Sequence, residues 1–274
     1  MLFRSHLGLR LRFIPVILPI WLLVKYRQSG GLKVLWSVIP LVIAFIPYYF
    51  LRVDAVMVGD PKGVAPDVLN DYFMYAKGDE ARATQVYILL KYFILQIFPY
   101  PLASDYSWHT IPYSHFSSPN VIISILLHIG MVGGLIYAIL KKHLILTFAL
   151  LFYLLNLALV CNLLFNIGAS MGERLVYHSS LGLIIAFFYG VYIVAKKIKD
   201  PKTKLYLGGA IVGLLLIPFF VITQKRCAAW KNDYTLATTD VKTNSNSALL
   251  NANACTYTVN KSELFEYKSK ENEM

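Results

Sequence analysis

The chain has 274 residues, of which 57% are apolar and 15% charged, and its mean hydropathy is +0.55. Soluble domains use about 45–50% apolar and about 25% charged residues, so this composition excludes a single water-soluble globule. The formal net charge of +11 does not indicate nucleic-acid binding, because the basic residues stand in short clusters between apolar runs. That arrangement is typical of a membrane protein, whose basic loops set its orientation in the bilayer.

Five apolar runs approach the roughly 20 residues that a helix needs to cross a bilayer. They lie at 34–51, 121–140, 144–165, 175–195 and 205–222. A shorter run at 13–24 has basic residues on both sides and is not followed by the small-residue cleavage site of a signal peptide, so we count it as a sixth span. The sequence therefore predicts an all-α, multispan membrane domain over residues 1–222.

The run at 83–98 differs from the six predicted spans. Lys91 and Gln96 interrupt it, and the sequence Phe-Pro-Tyr-Pro ends it. It is amphipathic and aromatic, so we expect a helix that lies in the membrane interface or re-enters from one side.

The distribution of Lys and Arg predicts the orientation of the chain. If 83–98 does not cross, ten basic residues in the connections 25–33, 141–142 and 196–204 fall on one side. The other side receives 98–120, which has no Lys or Arg, and 166–174, which has one. The positive-inside rule assigns that second side as extracytoplasmic.

The composition changes in the tail, residues 223–274, which contains seven basic and six acidic residues among many small polar ones. Two helices are predicted there, the first containing Trp230, Tyr234 and Leu236 and the second covering 248–259, with an N-cap at Asn246 or Ser247. A helix pair of this size cannot bury its apolar face alone, and it is typical of the start of a helical repeat array. We expect a soluble extracytoplasmic tail that binds an acceptor or partner protein.

Asp105 is the single charge of a loop that is stiffened by Pro99, Pro101 and Pro112. A carboxylate in this position can act as a base, bind a divalent metal ion or accept a hydrogen bond from a sugar hydroxyl. The alternative is that Asp105 caps a turn and that the neighbouring aromatic residues form an interface belt.

Three further candidate positions are charged or aromatic residues beside apolar runs. Arg174, next to Glu173, has a guanidinium suited to bidentate contact with a lipid phosphate; alternatively it extends toward water while Glu173 caps a helix. Tyr177 lies one turn further along. Lys91 either extends to water from an interfacial helix or pairs with an anionic ligand.

Four pieces of the sequence, in order, resemble the transmembrane O-mannosyltransferases that carry tetratricopeptide repeats (TPR). The first is 90–107, Leu-Lys-Tyr-Phe-Ile-Leu-Gln-Ile-Phe-Pro-Tyr-Pro-Leu-Ala-Ser-Asp-Tyr-Ser, and the second is Ile-Pro at 111–112. The third is 162–177, which ends in Gly-Glu-Arg-Leu-Val-Tyr, and the fourth is 226–248, which contains Trp-Lys-Asn-Asp-Tyr and Asp-Val-Lys-Thr-Asn-Ser-Asn-Ser-Ala. The resemblance covers roughly residues 15–260.

The resemblance implies a C-type glycosyltransferase (GT-C) in the bacterial cytoplasmic membrane or the endoplasmic reticulum. Such an enzyme takes mannose from a polyprenyl-phosphate donor and places it on Ser or Thr hydroxyls outside the cytoplasm. By this resemblance Arg174 contacts the donor phosphate, while Asp105 and Glu173 organise the sugar or the acceptor.

The first matched span departs from the family pattern. The family places its catalytic acidic residue in a first external loop, and where it has a Lys-Glu-Thr-like stretch this sequence reads Arg-Phe-Ile-Pro. We therefore expect the back half of the membrane domain with the start of the repeats, without the catalytic loop. The alternative function is a non-catalytic membrane scaffold whose tail binds protein partners.

Overall fold

The structure is a computed structural model that describes most of the C-terminal three quarters of the chain. The described residues are Ile43 and 72–272 except 109, 165, 166 and 168, with side chains up to Ser262. Apart from Ile43, the predicted spans at 13–24 and 34–51 lie outside the described residues. Within the described part, the chain forms helices and no β-strand, which confirms the all-α prediction there.

Seven α-helices and one 3-10 helix follow one another in the described residues. They are α1 (Glu80–Ile97), α2 (Pro119–Leu140), α3 (Leu144–Ala158), the 3-10 helix (Glu173–Val176), α4 (Tyr177–Ala195), α5 (Pro201–Ala229), α6 (Asp233–Thr243) and α7 (Ala248–Asn272). These helices divide into two compact units. Among the described residues, the first unit comprises Ile43 and those in 122–164 and 176–194, and the second comprises those in 72–121, 165–175 and 195–272.

Three helical segments are long and apolar enough to cross a membrane. They are Pro119–Leu140 with 22 residues, Glu173–Ala195 with 23 and Pro201–Ala229 with 29. Their surfaces carry large exposed apolar side chains, such as Leu126 at 64% and Leu214 at 76% exposure. Because so much exposed apolar surface is unfavourable in water, these helices suit a lipid environment.

Two helix ends differ from the sequence prediction. Helix α3 ends at Ala158 rather than near residue 165, and the following segment bends, with Asn162 at a φ of 59°. Helix α5 continues beyond residue 222 to Ala229, because the polar residues that begin the tail do not interrupt an α-helix. The hydropathy change therefore marks the end of the apolar surface, and the helix itself extends further.

Capping residues explain where α5, α6 and α7 begin. The Asp200 carboxylate accepts a hydrogen bond from Thr203 N at 2.7 Å, and Pro201 occupies the first helical turn. Asn232 caps α6 by accepting from Thr235 N at 2.8 Å. Ser247 caps α7 by accepting from Leu250 N at 3.2 Å, which confirms the cap predicted there.

Candidate functional site

The candidate site is built around one short loop, residues 103–108, which carries Asp105 and lies in the second unit. Polar groups of this loop bond to the segment 170–173 on one side and to the tail on the other. The 103–108 loop has no regular secondary structure of its own, so these bonds fix its conformation.

Glu173 binds the loop through one of its two carboxylate oxygens. Ala103 N donates to Glu173 Oε1 at 2.6 Å, and the Tyr106 hydroxyl donates to the same oxygen at 2.7 Å. Burial of Tyr106 and the neighbouring Glu173 charge raise the pKa of the Tyr106 hydroxyl, so it stays a neutral donor. Among the described residues no group donates to Glu173 Oε2, and the side chain is only half-buried, so this oxygen is open to a ligand.

The next residue of the loop is held by a different carboxylate. Ser104 N donates to Asp240 Oδ2 at 2.7 Å, and Asp240 comes from helix α6 of the tail. The Arg226 guanidinium donates to both oxygens of Asp240, with Nη2 3.0 Å from Oδ2. Burial favours the neutral acid, but the hydrogen bonds from Arg226 and Ser104 outweigh it and hold the pKa of Asp240 below its ordinary value.

Asp105 itself connects the loop to the start of helix α7. Its Oδ2 accepts from Ser107 N at 2.8 Å and from the Ser247 hydroxyl at 3.0 Å. Its carbonyl oxygen accepts from Asn244 Nδ2 at 3.2 Å. The turn-capping alternative for Asp105 is thus present in the structure, and it extends to the tail.

The remaining predicted site residues are more exposed. Arg174 is exposed on the 3-10 helix, directly after Glu173. Tyr177 is 75% exposed at the first position of α4, in the first unit. Lys91 is half-buried, and its Nζ lies 5.2 Å from the centre of the Tyr87 ring, one turn earlier on α1. The structure therefore brings Glu173 onto the loop that carries Asp105, whereas Lys91 contacts Tyr87 of its own helix.

Sequence reasoning singled out neither Arg226 nor Asp240 as a site residue. They are fourteen positions apart on two different helices, so no helical periodicity relates them. The one available signal was an arginine at the end of a long apolar helix, where a charge needs either water or a partner.

The hydrogen bonds around the loop also restrict its placement relative to a membrane. Direct bonds join the 103–108 loop to Glu173 and to Asp240. Segments bonded in this way must lie on the same side of any bilayer that the apolar helices cross. The extracytoplasmic placement of 98–120, 166–174 and the tail stays a prediction from the distribution of basic residues.

An aromatic cluster adjoins the loop at Trp108. The Trp108 ring lies 5.5 Å from Tyr75, 6.0 Å from Tyr113 and 6.1 Å from Tyr72, measured between ring centres. The contacts are tilted or edge-on, as aromatic pairs prefer. Tyr72 is buried, whereas Tyr75 is more than half exposed, so the exposed side of the cluster includes the Tyr75 ring.

His115 forms an exposed ion pair near the start of α1. Its Nδ1 lies 3.1 Å from Asp79 Oδ1, and its Nε2 lies 3.6 Å from Glu80 Oε1. The hydrogen bond with Asp79 raises the pKa of His115, and the same bond lowers the pKa of Asp79. The stabilisation from the charged His115 is therefore fully present below the ordinary histidine pKa of 6.5, and it is lost as the pH rises through the raised pKa.

We expect Asp79→Asn to return the pKa of His115 toward its ordinary value, because the main raising contact is removed. An NMR titration of the His115 ring in the intact chain measures this change. In the wild-type chain, about 1 M salt should produce part of the same decrease, since both groups are exposed. A His115 pKa that is identical in the two proteins would show that the pair does not form.

The described residues contain no group of three or more His, Cys, Asp or Glu side chains arranged to hold a metal ion. The Asp105 carboxylate accepts hydrogen bonds from Ser107 and Ser247.

No family model, curated protein or solved structure matches the chain. The resemblance to the O-mannosyltransferases therefore stays a prediction that depends on the sequence pieces described above.

Proposed function

We propose that this chain is the lipid-donor and acceptor part of a polyprenyl-phosphate-mannose-dependent protein O-mannosyltransferase. In this proposal Arg174 binds the donor phosphate and Glu173 accepts a hydrogen bond from a sugar hydroxyl. The tail and the 103–108 loop lie outside the cytoplasm, where the tail receives the acceptor protein.

The observation that carries the proposal is that two residues adjacent in sequence, Glu173 and Arg174, have side chains suited to the two parts of a lipid-phosphate sugar. One carboxylate oxygen of Glu173 accepts hydrogen bonds from Ala103 N and the Tyr106 hydroxyl. The second oxygen has no donor among the described residues. Arg174 is exposed beside it, ahead of a long apolar helix. A carboxylate for hydroxyl groups and a guanidinium for a phosphate are what a lipid-phosphate sugar requires at a membrane surface.

The rigidity of the Glu173 carboxylate also supports a binding role. Two donors fix Oε1, and one of them, Tyr106, is buried and stays protonated. Ligand binding to Oε2 then requires little further ordering of this side chain, which favours affinity.

We expect Arg174→Ala to weaken binding of a short-chain polyprenyl phosphate by roughly tenfold or more, because charge-assisted hydrogen bonds to the phosphate are lost. Binding is measured on the intact chain in lipid nanodiscs. Arg82→Ala is the matched control, since Arg82 is an exposed arginine on α1 whose guanidinium donates to Gln85. Unchanged affinity of Arg174→Ala would contradict the phosphate role and favour the scaffold alternative.

Glu173→Gln separates sugar recognition from phosphate recognition. We expect it to weaken binding of the mannose-bearing donor more than binding of the bare polyprenyl phosphate, because only the first presents sugar hydroxyls. Equal weakening of both ligands would place Glu173 outside the sugar contact.

A further inference from the structure

We propose that Asp240 of the tail is a positioning residue for Glu173. By binding Arg226, Asp240 keeps this guanidinium away from Glu173, so that Glu173 stays on the 103–108 loop with one oxygen open. The inference rests on the proposed function only for what the open oxygen binds; the positioning itself concerns residues of this chain alone.

The geometry places two carboxylates at consecutive residues of one loop. The amide of Ala103 points to Glu173 and the amide of Ser104 points to Asp240. Arg226 binds Asp240 and also interacts electrostatically with Glu173 and Tyr106. Because Ala103 and Ser104 are consecutive, the two carboxylates that they bind lie near each other, so the guanidinium held by Asp240 is also near Glu173.

Asp240 holds Arg226 firmly because its own side chain is completely buried. Oδ1 accepts from Arg226, and Oδ2 accepts from both Arg226 and Ser104. Bidentate pairing of this kind fixes the direction of the guanidinium as well as its distance. Trp230 adds a second contact, with its ring centre 5.6 Å from Arg226 Cζ.

Neutralising Asp240 leaves Arg226 as a mostly buried cation without its carboxylate partner. A buried charge without a partner is strongly unfavourable, so the Arg226 guanidinium is expected to pair with another nearby anion. Glu173 is that anion, and its capture by Arg226 competes with the bonds from Ala103 and Tyr106. The tail thus controls whether Glu173 faces the loop or the arginine.

The test compares Asp240→Asn with the double variant Asp240→Asn/Arg226→Met. Asparagine keeps an acceptor for Ser104 N, and methionine keeps an apolar side chain next to Trp230. We expect the single variant to speed hydrogen exchange at the Ala103 amide by roughly tenfold or more, since its bond to a charged acceptor is lost. We expect the double variant to restore slow exchange, because no cation is left to capture Glu173.

Exchange at the amides of α6 distinguishes positioning of Glu173 from simple fastening of the tail. If the pair only fastened the tail, exchange at the α6 amides would rise together with that at Ala103 in Asp240→Asn and fall with it in the double variant, and this result would overturn the proposal. Slow exchange at Ala103 in Asp240→Asn would overturn it as well. Asp233→Asn is the matched control, because Asp233 is exposed at the start of the same helix.

Donor binding is measured on the same variants in nanodiscs. We expect the affinity for the mannose-bearing donor to fall in Asp240→Asn and to return in the double variant. If the wild-type chain binds no polyprenyl-phosphate sugar, the proposed function fails, while the exchange results still decide the positioning role. If the donor binds but its affinity does not follow Ala103 exchange, then Asp240 does not position Glu173 for this ligand.

Discussion

Arg226→Met should lower the free energy of unfolding of the second unit by about 3–5 kcal/mol at neutral pH, because it leaves Asp240 as a buried carboxylate without its cation. Asp240 has no exposed side-chain surface, and once the guanidinium is removed Ser104 still donates to it. Thermal or denaturant unfolding in detergent, followed by tryptophan fluorescence, measures the loss.

The loss should depend on pH in a defined direction. In the wild-type chain the pKa of Asp240 lies below its ordinary value of 3.8. The stability that the Asp240 carboxylate contributes is therefore complete above pH 3.8 and is lost as the pH falls through the lower folded-state pKa. In Arg226→Met, burial without the guanidinium favours the neutral acid, so the variant recovers stability as Asp240 takes up a proton. The difference between the two proteins should therefore narrow as the pH is lowered from about 7 toward 4.

Arg226→Met/Asp240→Asn is the control for this prediction. Removing both charges from a buried ion pair is often neutral, so the double variant should be much closer to the wild type than Arg226→Met is. A pH-independent loss in Arg226→Met, with no recovery in the double variant, would mean that the arginine stabilises the unit through its Trp230 contact alone.

The helical class and the apolar helices were predictable from the sequence because their signals are local. Uninterrupted apolar runs indicate α2, α4 and α5 directly. The start of α7 at Ala248 was predictable for the same reason, since Ser247 bonds to an amide only three residues away.

The partners of the candidate site were not predictable because they are distant in sequence. Ser104 and Asp240 are 136 positions apart, and Asp105 and Ser247 are 142 positions apart. No propensity or spacing connects such residues before the fold brings them together. The sequence could indicate Asp105 and Glu173 only as isolated acidic residues in loops with few charges.

The same reasoning explains the shorter α3. Hydropathy extends over 144–165, but it reports burial and does not distinguish a helix from buried irregular backbone. Leu159, Val160 and Cys161 are indeed buried, although the helix has already ended. A buried bend therefore has the same hydropathy as the helix before it.

Gly182→Ala should destabilise the packing of α3 against α4 by about 1–3 kcal/mol, because a methyl group has no room at this position. A Cβ at Gly182 would lie 2.5 Å from the Ala149 carbonyl oxygen and 2.7 Å from Tyr153 N. Both are backbone atoms, so the helices themselves must move apart. Small residues allow this close approach between membrane helices, where van der Waals contact drives association.

Gly190→Ala is the matched control on the same helix. A Cβ at Gly190 would meet no atom of another residue within 4 Å, and alanine favours a helix over glycine by about 1 kcal/mol. We therefore expect Gly190→Ala to be neutral or slightly stabilising, while Gly182→Ala lowers the midpoint of thermal unfolding in the same detergent. Because both substitutions add the same methyl group and the same helix propensity, any difference between them measures the α3–α4 contact; equal shifts would show that the two backbones do not approach so closely.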